Sequence, residues 1–378
     1  MILLFISCFD FLKGIITLCE CFCDHTLSYD IDTQSKMDEM LENEKIEAIM
    51  RSSKPQVAVI GVGGAGCNIV SWVKEKRGGV SGAKLIAANT DATHLSIVKA
   101  DRRILLGEKT TRGMGAGGYP QRGEQAARES IEQIKKDTAG SNIVYVATGL
   151  GGGTGTGASW VIANALKPSG ALMIGVVTLP FAVERFRYNS AKEGLQRLRQ
   201  QTDTIVVIDN NRLAKVAGDL PLKEALGVAN ELVGEFVKGI TETITTASLI
   251  NIDFADLRAI MEKRGLAAIG VGEATGEDRI ERATQAALDA QLLDIKDSTK
   301  AFGVLIHVSG GDDITLDEVT QAGEMVTRSL PQKARVVWGA RVDPTLQGKV
   351  RVMVVLTGIE STFLSQQTKG LAGILRAQ

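Results

Sequence analysis

The chain has 378 residues, enough for one large domain or two ordinary ones, and its 44% hydrophobic content is ample for a sizeable core. Lys and Arg number 43 against 44 Asp and Glu, giving a formal net charge of -1 with no long basic run, which excludes the phosphate-backbone attraction that nucleic-acid binding depends on. Forty-one glycines, about 11% against a usual ~7%, gather in a few short loops, and three histidines (His25, His94, His307) without metal-ligand spacing leave catalysis to carboxylates. Residues 1–54 read as an extension outside the fold. Four of the five cysteines (Cys8, Cys19, Cys21, Cys23) lie here, but C-x-C-x-C lacks a second ligand pair at zinc-like separation, so the cluster is not read as a metal site. The opening MILLFISCF is nine residues without charge, far short of the ~20 needed to span a bilayer, and it lacks the basic start and cleavage site of a signal peptide. Residues 1–36 are an extension or a misassigned start, with Met37 the candidate true beginning. From there MDEMLENEKIEAIMRSSK has the spacing of a short surface helix.

From Pro55 onward, apolar and β-branched runs alternate with polar-apolar segments of helical period. VAVIG, KLIAANT, RRILLG, NIVYVATG, ALMIGVVTLP and TIVVIDN predict the strands of a parallel sheet covered by helices on both faces. The stretch from Leu222 to about Ser248, with Leu226, Val233, Val237, Ile240 and Ile244 as an apolar stripe, predicts a long core helix. LAAIGVGEA, AFGVLIHVSGG, RVVWGARV and KVRVMVVLTGI predict further strands, interleaved with helices over 277–291 and 315–330. The fold class is therefore α/β, with a parallel-sheet domain over 55–221, a core helix over 222–250, a smaller C-terminal α/β domain over 251–360 and a short tail over 361–378. No internal repeat or low-complexity linker is evident.

Three glycine loops carry the chemistry. GVGGAGCN (Gly61–Asn68) follows the first strand and opens a helix; its G-x-G-x-x-G match keeps a dinucleotide-binding oxidoreductase in play, with Asn89-Thr90-Asp91 about where that reading wants a ribose-binding acid, beside the alternative of a tight structural turn. GMGAGG (Gly113–Gly118) follows the third strand. GGGTGTG (Gly151–Gly157) lies between a strand and a helix expected to begin near Ala158; its five glycines can turn successive N–H groups toward one anion, and its two threonines add hydroxyl donors. Three such loops at the carboxyl ends of strands in one parallel sheet suit a polyphosphate, and no G-x-x-x-x-G-K-[ST] occurs. In NIDFAD (Asn251–Asp256), Asp253 and Asp256 are three apart, on one face of a helical turn, where they either polarise water or cap a helix.

With these motifs in order, the chain resembles the FtsZ family of tubulin-like cell-division GTPases over roughly residues 55–360. GGGTGTG resembles the tubulin signature loop in its FtsZ form, NIDFAD the loop that completes a neighbour's active site, and NTDA, TRGMGAGGYP, TLPF and GEDRIERATQAA are co-linear matches. VVTLPF and KGLAGILR lean toward archaeal members. The resemblance implies that Gly63, Gly64, Ala65 and Asn68 line phosphates and sugar, that Gly115, Ala116 and Gly117 close over the γ-phosphate, and that Gly151, Gly152, Gly153, Thr154, Gly155 and Thr156 hold the α- and β-phosphates. It implies Glu184 at the ribose, with Arg187 beside it, Asn210 and Asn230 on the guanine edge, and Asn251, Asp253 and Asp256 as the catalytic set. No protein metal site is expected; Mg²⁺ would be held by phosphates and water.

The resemblance also implies a cytoplasmic, division-site GTPase that binds GTP and GDP, polymerises head to tail with itself and hydrolyses GTP at the subunit interface. A membrane-tethering adaptor would take the C-terminal tail, where Leu371, Ile374 and Leu375 fall at helical spacing beside Lys369 and Arg376, and no segment spans a membrane. The alternatives are a non-hydrolysing nucleotide-binding scaffold of the same fold and a NAD-dependent oxidoreductase. Three features depart from the family pattern: Glu184-Arg185-Phe186-Arg187 is one residue short of E-G-x-x-R, apolar Leu226 stands where many members place an aromatic, and the long linker of many members is missing.

Overall fold

The computed structural model describes residues 55–360, apart from 77–79, 81, 218, 246–249, 251, 290–300 and 329. The expected leading helix, the cysteine cluster, the C-terminal tail, Asn251 and the Leu226 side chain lie outside the described residues. In chain order the larger elements are β1 (Val57–Val62), α1 (Gly63–Lys76), β2 (Ala83–Asn89), α2 (Ala92–Ile97), β3 (Arg102–Leu105), α3 (Glu108–Thr111), α4 (Pro120–Glu129), α5 (Ile131–Thr138), β4 (Ile143–Gly149), α6 (Gly153–Leu166), β5 (Leu172–Leu179), α7 (Arg185–Arg199) and β6 (Thr204–Asp209). There follow α8 (Asn210–Ala217), α9 (Leu222–Thr245), α10 (Phe254–Met261), β7 (Gly265–Thr275), α11 (Arg279–Asp289), β8 (Gly303–Gly310), α12 (Leu316–Arg328), β9 (Arg335–Val342) and β10 (Lys349–Ile359).

The strands form one ten-stranded sheet in the order β3-β2-β1-β4-β5-β6-β7-β10-β8-β9. From β3 to β7 every pairing is parallel, and β10 enters antiparallel between β7 and β8. Because the sheet is buried on both faces, its central strands read as continuous apolar runs rather than alternating ones. In β1, Ala58, Ile60 and Val62 join the core under α6 and α7, while Val57 and Val59 join the core under α1 and α9. Val233, Val237 and Ile240 of α9 are buried as their spacing predicts, and Phe236, outside that stripe, is fully buried with its ring edge-on to Tyr145 at 5.9 Å and 88°. Burying such an aromatic contributes about 2–3 kcal/mol.

Helix α9 is clamped to the C-terminal strands by ions as well as by its apolar face. Arg351 of β10 pairs with Glu235 of α9 at 2.5 Å and with Glu273 of β7, and Arg341 of β9 pairs with Glu242 of α9. His307 of β8 is buried against this cluster with Ser309 Oγ 3.3 Å from its Nδ1. Burial pushes its imidazole down to about 4, and the charges of Arg341 and Arg351 add to the effect. Among the described residues no helix is long and apolar enough to cross a membrane.

Candidate nucleotide site

Strand order turns at β1. After it the chain builds β2 and β3 on one side, then returns to build β4, β5 and β6 on the other. The connections leaving β1 and β4 therefore diverge and leave a crevice at the carboxyl ends, where α/β sheets bind ligands. Here an open cleft of ≈ 320 Å³ is lined by Gly64, Ala65, Gly149, Leu150, Gly152–Gly155, Thr178, Leu179, Pro180, Glu184, Arg187 and Asn210, at the lower end of the range of small-molecule sites.

Two helices begin at this cleft. Helix α1 starts at Gly63 with no loop after β1, and α6 starts at Gly153, five residues earlier than Ala158. GGGTGTG is thus mostly the first turns of a helix. Its glycines allow close approach: a Cβ on Gly155 would lie 2.2 Å from Gly149 O, and one on Gly157 would lie 1.9 Å from Pro120 O. That contact lets α4 pack on α6. Only Gly151, at φ +102°, needs backbone freedom within this loop. The first-turn amides of both helices have no intrahelical partners and carry the positive ends of two dipoles, so a polyanion is the ligand they suit.

The hydroxyls of GGGTGTG brace the loop. Thr156 Oγ1 accepts the Gly151 N–H at 2.8 Å, and Thr154 Oγ1 lies 2.7 Å from Thr90 Oγ1, so both hydroxyls also hold the loop in place. Gly115 N–H donates to Thr90 O at 3.0 Å, drawing the loop 113–118 toward the same threonine. Ala116 closes against Gly153, whose added Cβ would come within 2.9 Å of it. Gly63 abuts Gly155, and Gly117 adjoins Tyr119. On the far rim Glu184 Oε1 accepts from Phe181 N at 3.1 Å and Oε2 from Arg187 Nη1 at 2.9 Å, so Arg187 reaches Glu184 despite the shortened loop. Asn210 lines the cleft, whereas Asn230, half-buried on α9, does not.

Sequence reasoning missed several supports. Asn211, beside Asn210, accepts from Ala182 N at 2.9 Å and donates to Asp209 at 2.8 Å, fixing the 181–184 segment. Asp91 caps α2 by accepting from His94 N at 3.0 Å, so it is engaged as a cap instead of standing free as a ribose acid. Cys67 is buried in α1 and its thiol is pushed up to about 12 by desolvation, which makes it inert packing.

The carboxylates of the second motif lie elsewhere. Asp253 caps α10 by accepting from Ala255 N at 3.1 Å, Asp256 sits in its first turn, and both are exposed. Asp253 therefore has the capping role the sequence left open, with its carboxylate still accessible to solvent. This segment belongs to the opposite pole of the sheet: Arg258 donates to Gly170 O, just before β5, at 3.3 Å, and Thr245 abuts Gly82, just before β2. Strands of six to eight residues, roughly 20–26 Å, separate the two poles.

Residues 56–218 match the model of the tubulin/FtsZ family GTPase domain, and residues 265–360 match that of the FtsZ family C-terminal domain. The chain is 47% identical over 319 residues to cell division protein FtsZ 1 of Archaeoglobus fulgidus, covering 84% of this chain and 86% of the relative. It is 45% identical over 318 residues to cell division protein FtsZ 2 of Methanocaldococcus jannaschii, covering 83% of each. The chain belongs to the FtsZ family. An FtsZ dimer structure from M. jannaschii superposes with a TM-score of 0.79 at 46% identity, covering 84% of this chain and 92% of the other. CetZ2 of Haloferax volcanii, at 22% identity and a TM-score of 0.70, shares the fold. As an FtsZ-family GTPase the chain binds guanine nucleotide, which excludes the oxidoreductase alternative. The two family models flank α9, the helix that joins the nucleotide pole to the acid pole.

Proposed function

We propose that this protein is a GTP-dependent polymerising GTPase of cell division that hydrolyses GTP where the carboxyl pole of one subunit meets the amino pole of the next. The observation that carries the reading is the pair of helix N-termini, α1 and α6, opening onto one cleft while the exposed Asp253 and Asp256 face away from it at the other pole. The first-turn amides of residues 64–65 and 152–155 cradle the phosphates, and the loop 115–117 closes over the terminal one. Glu184, with Arg187, takes the ribose, and the Asn210 amide meets the mixed donor and acceptor edge of guanine, a contact that Asn230, on α9 outside the open cleft's lining, joins once the base is seated. Mg²⁺ would be held by the nucleotide's phosphate oxygens and water and would neutralise charge developing there.

A neighbour's Asp253 and Asp256, with Asn251, then orient water in line with the γ-phosphate. Met114, Tyr119, Val183 and Phe186, 79%, 60%, 85% and 72% exposed, surround the nucleotide pole with apolar surface that such stacking would cover. A heterologous contact of this kind does not close and generates a filament. The relatives named cell division proteins and the FtsZ dimer support this role. In the cell the filament works in the cytoplasm at the division site, and residues 361–378 take the membrane-tethering adaptor. Light scattering and phosphate release with GTP, GDP and ATP test the reading: assembly and turnover with GTP alone are expected, and equal response to ATP would refute guanine selection.

A further inference from the structure

A chain of three side chains runs from the end of β2 through α2 to α1, the helix that opens onto the nucleotide cleft. Asn89 Oδ1 accepts the backbone N–H groups of Thr90 at 2.9 Å and Asp91 at 3.4 Å, which turns its amide nitrogen toward His94 Nδ1, 3.2 Å away. An amide nitrogen only donates, so Nδ1 must accept, and the neutral imidazole carries its proton on Nε2. That nitrogen lies 3.0 Å from Asn68 Oδ1 and donates to it. The orientation of the Asn68 amide is thereby set: its oxygen is engaged by His94 and its NH₂ group, without a partner among the described residues, is the donor left for a ligand. Asn68 stands three and four residues beyond Ala65 and Gly64, which line the cleft, and so shares their helix face.

We propose that His94 is a positioning residue for nucleotide binding: by donating to Asn68 Oδ1 it holds the Asn68 amide as a hydrogen-bond donor toward an acceptor oxygen of the bound nucleotide. The inference rests on the nucleotide reading above. Without His94 the amide loses the partner that fixes it and is free to rotate away from the cleft or to present its oxygen, which faces the electron-rich nucleotide unfavourably. His94 itself touches no ligand and its effect passes entirely through Asn68.

The test is a double-mutant cycle on GDP and GTP affinity of the full chain, measured below the concentration at which it scatters light, with the melting temperature of the nucleotide-free protein as a second readout. Asn68→Ala and His94→Ala are each expected to weaken binding by about tenfold, and the double variant by no more than either alone. His94→Gln, whose amide nitrogen reaches the place of Nε2, should restore affinity. His94→Asn, which replaces only Nδ1, should not. Independent losses that multiply to about a hundredfold, rescue by Asn as well as Gln, or a lowered melting temperature with unchanged affinity would each overturn the proposal. A wild-type chain that takes up no guanine nucleotide would overturn the nucleotide reading itself, and the inference with it, before any variant is compared.

Discussion

At the scale of single residues, neighbouring glycines of one loop do different work. A Cβ on Gly157 would lie 1.9 Å from Pro120 O, while one on Gly152 would meet nothing within 4 Å. Gly157→Ala should therefore force α4 off α6 and lower stability by about 3 kcal/mol, and Gly152→Ala should change it by less than about 0.5 kcal/mol, as read from urea unfolding. Similar losses for the two would show that both glycines serve backbone freedom instead. The density of glycines marks this loop in the sequence, and in the structure residues 152–155 line the open cleft. It could not separate close approach from flexibility, which depends on what α4 places opposite. The roles of Thr90, Asn89 and His94 were illegible for the same reason: they arise where the end of β2 meets α1 and α6, and no local pattern encodes that meeting.

Elements were easier to read than their ends. The inner strands lie on apolar runs, since a sheet covered on both faces needs them there, whereas the edge strands β3 and β9 carry exposed residues. The start of α6 was misplaced because glycine disfavours helices, and tertiary packing overrode that preference. The ion pairs holding α9 had no sequence signature, as Glu235 and Arg351 are 116 residues apart. Arg351→Ala would leave Glu235 and Glu273 without this shared partner, and an expected loss of about 3 kcal/mol can be checked by urea unfolding; a loss below about 1 kcal/mol would mean solvent screens the cluster. His307 adds a pH dependence with a definite sign. Its folded value is depressed from 6.5 to about 4, so below pH 6.5 the unfolded chain binds a proton that the folded chain refuses. The contribution is complete above 6.5 and falls as acidification proceeds toward 4, by about 1.4 kcal/mol per pH unit. Between about pH 7.5 and about pH 5, wild type should lose about 2 kcal/mol more than His307→Gln, and equal losses would contradict the burial argument.

Across the whole molecule, the nucleotide cleft and the acids occupy opposite poles of the parallel part of the sheet. Helix α9, 24 residues and about 36 Å long, runs between them. The contacts of Thr245 with Gly82 and of Arg258 with Gly170 tie the acid end to the amino ends of the strands. One subunit therefore cannot bring its own Asp256 to a phosphate in its own cleft, so catalysis by these acids, as proposed above, needs two chains. Asp256→Ala alone should bind GTP, assemble and hydrolyse very slowly. The complementary variant must lose its pocket without losing its fold, and Gly152 suits this better than Gly153, whose Cβ would strike Tyr119 N at 2.8 Å. Gly152→Trp fills the cleft from an extended backbone position (φ -88°, ψ 170°) with open space before it. Mixing Asp256→Ala with Gly152→Trp, each with little or no turnover alone, is the most direct measurement: phosphate release should rise well above either alone wherever the second chain's acids cap the first chain's nucleotide. Co-sedimentation of the two variants without any return of hydrolysis would contradict the shared site, as would turnover by wild-type monomers held below the assembly concentration.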